Sequence, residues 1–502
     1  MALIPYVAAA AVLGWLIARL IYNEYTFNQV SKKYGCARPR RYPHLDPFFG
    51  LDLSLRLMRG IQKNESFALD QRLFGVHGKN YIARSWNRAV LHTMDCENVQ
   101  AILSTNFECF AVEPVRGDAI KPVMGNGIFS TDGQRWRYSR NLATPIFGRA
   151  FVSDLTSLEE HVTKALKWIP RTGSTVDLQL LFKRLFLDVS TEFIFGQSCN
   201  ILSDGIKGIG PSSRLIEAFE TALRGIGMSL FFGRFRFLLC QEKVFDAASK
   251  EVHKIVDGFI DDAFAAHQRS SSENRKSKTY NLLGELGEVV RNRSELKFQL
   301  LNVFLPAYDS TAIGLSNIFF HLVRHPRVWD KLYHEAIAVE EPITAERVKS
   351  MTYMEYVINE GLRLHAPQAR LLRKCIKNCV LPRGGGDDGR SPIFFQAGME
   401  VELNYYALQR DCDVWGTDAD KFKPERWEDS YLTAKWKYLA FSGGPRICPA
   451  QQMVTLQCGY ILTRFLREFP RIVNKDEQLA FVEDLRVTMQ SRNGVQVAFL
   501  EN

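Results

Sequence analysis

The stretch FSGGPRICPA, residues 441–450, places a cysteine in a glycine-rich turn near the carboxyl end of the chain. Gly443 and Gly444 let the backbone turn tightly, so that amide groups can point at the sulfur of Cys448. Arg446 offers a planar set of donors to a carboxylate, and Pro449 suits the first turn of a helix that we expect to reach residue 467. The pattern predicts a loop that presents a thiolate to a metal, rather than a buried structural cysteine.

These residues resemble the haem-ligand loop of the cytochrome P-450 superfamily, which reads Phe-x-x-Gly-x-Arg-x-Cys. The resemblance implies that Cys448 is the axial ligand of the iron in protoporphyrin IX haem. It also implies that Phe441 and Arg446 bind the cofactor, with Arg446 on a haem propionate. The fold implied is mainly α with a smaller β region, preceded by one transmembrane helix.

Length and composition indicate a globular chain. Of the 502 residues, 46% are hydrophobic and 24% are charged, and no Pro/Gly/Ser-rich linker divides the chain into halves. The 10 cysteines show no paired zinc spacing, which favours a reducing compartment. The net charge of +9 fits attraction to anionic lipid or to an acidic electron donor. Basic and acidic residues are interleaved, so we expect no nucleic-acid partner.

The amino terminus predicts a membrane anchor over residues 1–22, because nothing is charged from Leu3 to Ala18. A cleaved signal peptide is the alternative, but no basic residue precedes the apolar run and no small-x-small site follows it. Basic residues after the run predict that the remaining chain faces the cytoplasm. We therefore expect a single-pass anchor in the endoplasmic reticulum membrane, a proline-rich linker over 23–50 and a catalytic domain over 51–502.

Hydrophobic periodicity predicts the main elements of the body of the chain. Helices are expected over 52–75, 150–168, 176–195 and 213–230, and a pair of short strands over 80–94. The segment 107–131 shows no sustained period and predicts a long functional loop. An aromatic lid is expected over 231–237, an exposed tether over 268–278, and a terminal hairpin over 482–499 with its turn at 492–494.

Two further segments offer donors for carboxylates. Trp136 and Arg140 lie one helical turn apart, so an indole N–H and a guanidinium can project together. Taken alone, this segment also fits a solvated basic helix. The resemblance implies that both residues bind a haem propionate and that Arg373 does the same.

A long apolar helix over 296–325 contains Pro306, Asp309 and Ser310. Proline removes a hydrogen-bond donor, so we expect the helix to open or kink there. The segment resembles the family's oxygen-activating motif, which implies that Asp309 is the acid and Ser310 the hydroxyl that guide protons to bound dioxygen. It departs from that motif at Pro306, Ala307 and Ser310.

The remaining signatures concern scaffold and substrate. Glu360, Arg363 and Arg426 resemble the family's buried structural triad. Arg370 stands where the family tends to carry an apolar residue, so a substrate carboxylate is a hypothesis for its partner. An arginine that points outward is the alternative. The glycine-rich hairpin over 381–393, with residues 405–410, 413–416 and 36–51, resembles the fungal alkane and fatty-acid terminal hydroxylases.

Together these features predict a haem-thiolate monooxygenase that inserts one atom of dioxygen into a C–H bond of a lipophilic substrate, most simply an alkyl chain. The alternative substrate class is a fungal secondary metabolite, such as a polyketide or terpenoid. The sequence has no flavin or nicotinamide fingerprint, so an NADPH-dependent flavoprotein reductase is expected as partner, docking near Arg137, Lys435 and Lys437. Two other classes stay open: a reductase-independent rearrangement or dehydration enzyme, and a membrane-tethered binding protein without activity.

Overall fold

The structure is a computed structural model that describes residues 3–148, 155–203, 211–238, 242–270, 281–429 and 436–500. It is mainly helical with a smaller β region, as predicted. The helices of the described residues are α1 Leu3–Tyr34, α2 Leu51–Lys63, α3 Ser66–His77, α4 Cys96–Gln100, α5 Glu113–Met124, α6 Gly133–Gly148, α7 Thr156–Leu166, α8 Leu178–Phe195, α9 Pro211–Phe232, α10 Glu242–Ser270, α11 Leu282–Val289, α12 Arg293–Leu322, α13 Pro326–Ala338, α14 Ala345–Lys349, α15 Thr352–His365, α16 Tyr405–Leu408, α17 Cys412–Trp415 and α18 Gln451–Glu468.

The strands form one larger sheet and three small ones. In chain order they are β1 Arg40–Arg41, β2 Asn80–Ser85, β3 Arg88–Thr93, β4 Phe110–Ala111, β5 Val176–Asp177, β6 Arg370–Cys375, β7 Cys379–Gly385, β8 Ser391–Phe395, β9 Glu400–Asn404, β10 Arg471–Asn474, β11 Glu483–Leu485, β12 Met489–Ser491 and β13 Gln496–Leu500. The six-stranded sheet has the order β1-β2-β3-β9-β6-β4. This order places β6, which carries Arg373, between β9 and β4.

The strand pair predicted over 80–94 is confirmed as the antiparallel β2–β3 hairpin. Its two turn residues, Trp86 and Asn87, have φ of 52° and 61°, which matches the twist of a two-residue hairpin turn. The Trp86 ring packs against Phe232 and Phe235, with ring centroids 4.9 and 5.7 Å away. The aromatic segment predicted as a lid therefore rests on this hairpin.

The single helix predicted over 52–75 is two helices, α2 and α3. Asn64 ends α2 in a left-handed conformation with φ of 58°, and its backbone N–H donates to the carbonyls of Gly60 and Ile61. Apolar periodicity continues across this break because both helices bury a face in the same core, which includes Leu53 and Leu69. Periodicity alone does not register the interruption.

The long loop predicted over 107–131 contains a helix, α5. Pro114 lies in its first turn, where a missing N–H has no cost, and Gly125 ends it with φ of 59°. Ile120 and Val123 are buried in the core that α9 and α12 share. Tertiary packing therefore stabilises a helix that the sequence pattern does not predict.

Helix α12 is continuous across Pro306, so the expected opening is not found. The helix is buried along most of its length and packs against α8 and α15. This packing keeps α12 helical through Pro306. The hydroxyl of Ser310 donates to the carbonyl of Pro306 at 2.7 Å. Burial on several sides outweighs the loss of one backbone hydrogen bond.

The carboxyl-terminal hairpin was predicted with the wrong turn. The chain reverses at 486–488, where β11 pairs with β12, and β13 instead joins β10 and β5. The N–H of Met489 donates to the carbonyl of Pro367, and the amide of Asn317 donates to the carbonyl of Met489. These contacts with distant segments place the hairpin tip against α12.

The first helix, α1, extends to Tyr34, into the region predicted as a linker, and Arg40–Arg41 pair in parallel with β2. Within the part of the chain that the structure describes, no helix combines the length and the apolar character needed to cross a membrane. The predicted tether over 268–278 lies outside the described residues from 271 onward.

Candidate functional site

The loop before Cys448 is closed by short backbone hydrogen bonds. The N–H of Cys448 donates to the carbonyl of Phe441 at 3.0 Å, and the N–H of Ile447 donates to Gly444 at the same distance. Helix α18 begins at Gln451, directly after the loop, and ends at Glu468. The loop is thus fixed on a long buried helix, with the cysteine presented just before the helix amino terminus.

Both glycines of the loop are required by close approaches. A Cβ on Gly444, whose φ is +68°, would lie 1.9 Å from the carbonyl oxygen of Leu103. A Cβ on Gly443 would lie 2.5 Å from the ring of Trp436. The first contact is with backbone that cannot move aside, so only glycine fits at residue 444.

The surroundings of Cys448 have opposing effects on the pKa of its thiol. Burial raises the pKa of its thiol, whereas the backbone N–H of Ala450 and the guanidinium of Arg140 act to lower it. Burial has the larger effect in the chain alone, so the amides do not by themselves produce the thiolate that the sequence pattern predicts. A positively charged metal at the sulfur supplies the stabilisation that a buried thiolate requires.

The predicted propionate donors gather on one side of this loop. Trp136 and Arg140 project from α6, and Arg373 is buried on β6. The guanidinium of Arg446 lies 4.4 Å from the Trp136 ring centroid, and donates to the carboxylate of Asp132 at 2.7 Å. Arg446 therefore has a partner within the chain that the sequence analysis did not anticipate.

Arg116 is a further member of this cluster that the sequence analysis missed. It lies on α5, in the segment predicted as a loop, so no helical face could be assigned to it. Its pKa is well below the usual range because of burial and the nearby guanidinium groups of Arg373 and Arg446. Pro114 is the sequence signal for the start of α5, and a helix predicted from it would have given Arg116 a helical face.

The cluster fits a buried group that carries two carboxylates. Burial lowers the pKa of Arg140, Arg373 and Arg446, the last to about 10. Asp132 opposes this effect at Arg373 and Arg446. The indole N–H of Trp136 and the Nε of Arg116 are buried and have no acceptor among the described residues. Uncompensated cations and orphaned donors beside a cysteine are the features that a haem with its propionates would satisfy.

Asp309 and Ser310 lie on α12, and both side chains have partners. Asp309 is 3% exposed, and the hydroxyl of Thr488 donates to its Oδ2 at 2.8 Å. Burial raises the pKa of Asp309, although Lys183 and the Thr488 hydroxyl act to lower it. Thr488 lies at the tip of the β11–β12 hairpin, so this residue of the carboxyl terminus orients the proposed acid.

Behind Thr488 lies a partly buried ionic network. Glu220 of α9 accepts from Lys183 of α8 at 2.6 Å and forms an ion pair with Arg486 at 3.3 Å. Arg486 also pairs with Asp484 at 3.0 Å. The network links α8, α9 and the hairpin, and it fixes the hairpin tip that contacts Asp309.

The predicted triad is present and fully hydrogen-bonded. Glu360 accepts from Arg363 and from Arg426, each at 2.8 Å, and from the indole of Trp427 at 3.1 Å. Arg363 also donates to the carbonyl of Ala419 at 2.7 Å. Because all members are buried and satisfied, the triad holds α15 to the chain before the cysteine loop.

Arg370, for which a substrate carboxylate was the hypothesised partner, has partners within the protein. Arg370 pairs with the buried carboxylate of Asp70 at 2.6 Å and donates to the hydroxyl of Ser66 at 2.6 Å. Glu402 and Glu483 also face it, and Asp70 contributes most to raising its pKa. The charge of Arg370 is used within the protein, where it joins α3 to β6.

The predicted reductase surface is described in part. Arg137 is exposed on α6 and pairs with Glu108 at 3.0 Å. Lys437 follows the Trp436 turn, and Lys435 lies outside the described residues.

Comparison with known proteins agrees with this geometry. A family model described as Cytochrome P450 matches residues 42–497, so the chain belongs to the cytochrome P450 family. It is 35% identical to Cytochrome P450 monooxygenase himC of Aspergillus japonicus, over 98% of this chain and 90% of that protein. It is 31% identical to Cytochrome P450 monooxygenase apdE of Emericella nidulans, over 100% and 94%. It is also 32% identical to Cytochrome P450 52A13 of Debaryomyces hansenii, over 98% and 97%.

The predicted family, enzyme class and cofactor are thereby confirmed. The protein is a monooxygenase whose cofactor is a thiolate-bound haem. The two other classes left open by the sequence, a reductase-independent rearrangement enzyme and an inactive binding protein, lose their support.

Proposed function

We propose that Cys448 holds the haem iron and that the basic cluster binds the two propionates. The observation that carries this assignment is the group of buried guanidinium groups beside the cysteine loop, in which Trp136 and Arg116 keep donors without acceptors among the described residues. The donor residues are Arg116, Trp136, Arg140, Arg373 and Arg446. The backbone carbonyl of Phe441 accepts the N–H of Cys448.

Cys448→Ser tests the ligand assignment directly. The variant should lose the thiolate-type absorption band that reduced protein gives with carbon monoxide, because a serine oxygen donates far less charge to iron. Cys412→Ser, at an exposed cysteine, should keep the band. An unchanged band in Cys448→Ser would overturn the assignment.

When bound, the haem activates dioxygen so that one oxygen atom is inserted into a C–H bond. We propose that Asp309 and Ser310 would relay protons toward the haem site, with Thr488 holding the Asp309 carboxylate in position. The raised pKa of Asp309 places its proton exchange closer to neutral pH than that of an ordinary carboxyl group. The helix carbonyl of Pro306 holds the Ser310 hydroxyl until a stronger acceptor is present.

The substrate we propose is a lipophilic molecule oxidised on an alkyl carbon. Because Arg370 is paired with Asp70, a substrate carboxylate has no partner at this position. This favours a neutral alkyl chain over a fatty acid anchored at Arg370. The same observation supports the second candidate, a neutral polyketide or terpenoid.

An optical titration separates these substrate classes. Ferric protein is titrated with alkanes and with fatty acids of matched length, and the shift from low-spin to high-spin iron is recorded. Saturation at micromolar alkane, with weaker binding of the acid, supports the proposal. Tighter binding of the acid would contradict it, and the absence of any shift would favour the secondary-metabolite class.

We also propose that electrons come from an NADPH-dependent flavoprotein reductase that docks on the surface around Arg137. The support is the exposed position of Arg137 and its positive charge, which suits an acidic electron donor. Arg137→Glu should raise the reductase concentration needed for half-maximal turnover, whereas Arg72→Glu, an exposed arginine on α3, should not. If both variants needed the same reductase concentration for half-maximal turnover, docking around Arg137 would be contradicted.

Finally, we propose that the enzyme works at the endoplasmic reticulum membrane with its catalytic part in the cytoplasm. The support is the uncharged run from Leu3 to Ala18 and the exposed apolar side chains of α1, which include Val7 and Ile21. Fractionation of cells that express the full chain and a chain without residues 1–22 tests this. Recovery of the full chain in the soluble fraction would contradict the proposal, and alkaline extraction distinguishes insertion from surface attachment.

A further inference from the structure

Three cysteines that the monooxygenase reaction does not use lie together at one end of the large sheet. Cys375 ends β6, Cys379 begins β7, and Cys109 directly precedes β4. The N–H of Ile376 donates to the carbonyl of Cys109 at 2.8 Å, and Phe110 is the register partner of Cys375. The sheet thus brings a thiol from residue 109 next to two thiols more than 260 residues away.

The three cysteines belong to one hydrophobic cluster, with Cys375 buried in it and Cys109 and Cys379 packed against it. Interaction with the thiols of Cys375 and Cys109 raises the pKa of Cys379. Cys375 also donates to the carbonyl of Lys377 at 2.9 Å, and to that of Phe395 at 3.8 Å. Phe395 is in turn the register partner of Cys379, so the sulfur of Cys375 lies beside the backbone that pairs with Cys379.

The members of this cluster differ in accessibility and in chemistry. Cys375 is buried, whereas Cys379 and Cys109 are partly exposed, and all three are free thiols. The hydrogen bond with Cys379 lowers the pKa of the Cys375 thiol, and the same contact raises the pKa of Cys379. One sulfur is therefore the better nucleophile, and its neighbour keeps the proton.

We propose that Cys375 and Cys379 form a reversible oxidation site that reacts with hydrogen peroxide and closes to a disulfide. The Cys375 sulfur attacks the peroxide, an S–O bond forms as the O–O bond breaks, and one water leaves. The Cys379 sulfur then attacks the resulting sulfenic acid, forming the S–S bond and releasing the second water. In sum, two thiols are oxidised and one peroxide is reduced, which gives one disulfide and two waters.

The position of the site gives oxidation a structural consequence. Cys375 follows Arg373 by two residues on β6, and Cys379 belongs to the separate β7–β8 sheet. A disulfide would tie the strand that presents Arg373 to that second sheet. The site does not depend on the proposed substrate or proton path.

Peptide mapping tests the proposal on the haem-loaded enzyme. The protein is treated with hydrogen peroxide, free thiols are alkylated, and trypsin digestion follows without reduction. Cleavage after Lys374, Lys377 and Arg383 separates the peptides 375–377 and 378–383. A disulfide between Cys375 and Cys379 therefore appears as a linked peptide pair that dithiothreitol separates.

We expect this linked pair to become the main form of both peptides, and to return to free thiols on reduction. Cys379→Ser should abolish it, whereas Cys412→Ser, at an exposed cysteine outside the cluster, should leave it unchanged. The wild-type map decides the matter even if Cys379→Ser fails to fold. The proposal would be overturned if Cys375 and Cys379 both stayed free, and so became alkylated, at a peroxide dose that oxidises Cys412. A linked pair that joins Cys109 to Cys379 would also overturn it.

Discussion

At the scale of single residues, Asp309 combines burial with a hydrogen bond from Thr488. Its raised pKa means that the folded protein still holds this proton at pH values where the unfolded chain has released it. Stability contributed by this residue is therefore lost as the pH rises from the ordinary carboxyl pKa of about 4 through the folded value.

Asp309→Asn should remove this dependence. We expect its free energy of unfolding to exceed that of the wild type at pH 7 by about 1.4 kcal/mol for each unit of pKa elevation, and to match it below about pH 4. Turnover should fall by about 10²-fold, because proton transfer is lost. Denaturation at several pH values checks the first expectation, and parallel pH profiles of the two proteins would contradict it.

Thr488→Val should affect the same carboxylate by removing the hydroxyl that donates to it. Loss of the hydroxyl leaves a buried Asp309 oxygen without its donor, at a cost of about 1–3 kcal/mol. The remaining charge is less stabilised, so the pKa of Asp309 should rise further. Thr488→Ser keeps the donor and should behave like the wild type, and equal stability of the valine and serine variants would show that the contact has no effect.

At the scale of elements, Glu360 joins α15 to the segment that carries Arg426 and Trp427. Glu360→Gln leaves the charge of Arg363 buried without a counter-ion, so we expect a loss of about 3–5 kcal/mol in the free energy of unfolding. Glu355→Gln, at an exposed position on the same helix, should change it by less than about 0.5 kcal/mol. Urea denaturation measures both, and a similar loss in the two variants would contradict a special role for the triad.

The cysteine loop is tied to its surroundings through Gly444. Gly444→Ala brings a Cβ against the carbonyl of Leu103 in addition to the strain of a positive φ. Gly133→Ala adds strain alone, because φ is +59° and nothing lies within 4 Å, so it should cost about 1–2 kcal/mol. We expect Gly444→Ala to cost clearly more and to reduce haem content, measured by absorption per protein. Equal effects would show that the Leu103 contact is unimportant.

At the scale of the whole molecule, four separate parts of the chain build the basic cluster: α5, α6, β6 and the cysteine loop. Arg116→Leu removes one proposed propionate partner. The lost charge-assisted hydrogen bond is worth about 1.5 kcal/mol, so haem should transfer to excess apomyoglobin roughly tenfold faster than from the wild type. Arg135→Leu, at an exposed arginine of α6, should leave the transfer rate unchanged. A rate for Arg116→Leu equal to that of the wild type would remove Arg116 from the haem site.

Much of the architecture follows from local signals. The β2–β3 hairpin, α8 and the Glu360–Arg363 pair all agree with the predictions, because each rests on a turn residue or a spacing that acts over a few positions. The hairpin turn at 492–494 and the loop over 107–131 were wrong because distant segments decided them. Pairing of β13 with β10 and burial of α5 against α9 are not encoded in any short window.

The sequence by itself determined the family and the cysteine loop, because these depend on residue type at fixed spacing. The tertiary structure alone decided which side chains meet: Thr488 with Asp309, Arg370 with Asp70, and Arg116 with the basic cluster. Each of these contacts joins residues far apart in the chain. Their geometry depends on how the helices and the sheet pack, and packing is a property of the whole fold rather than of any single segment.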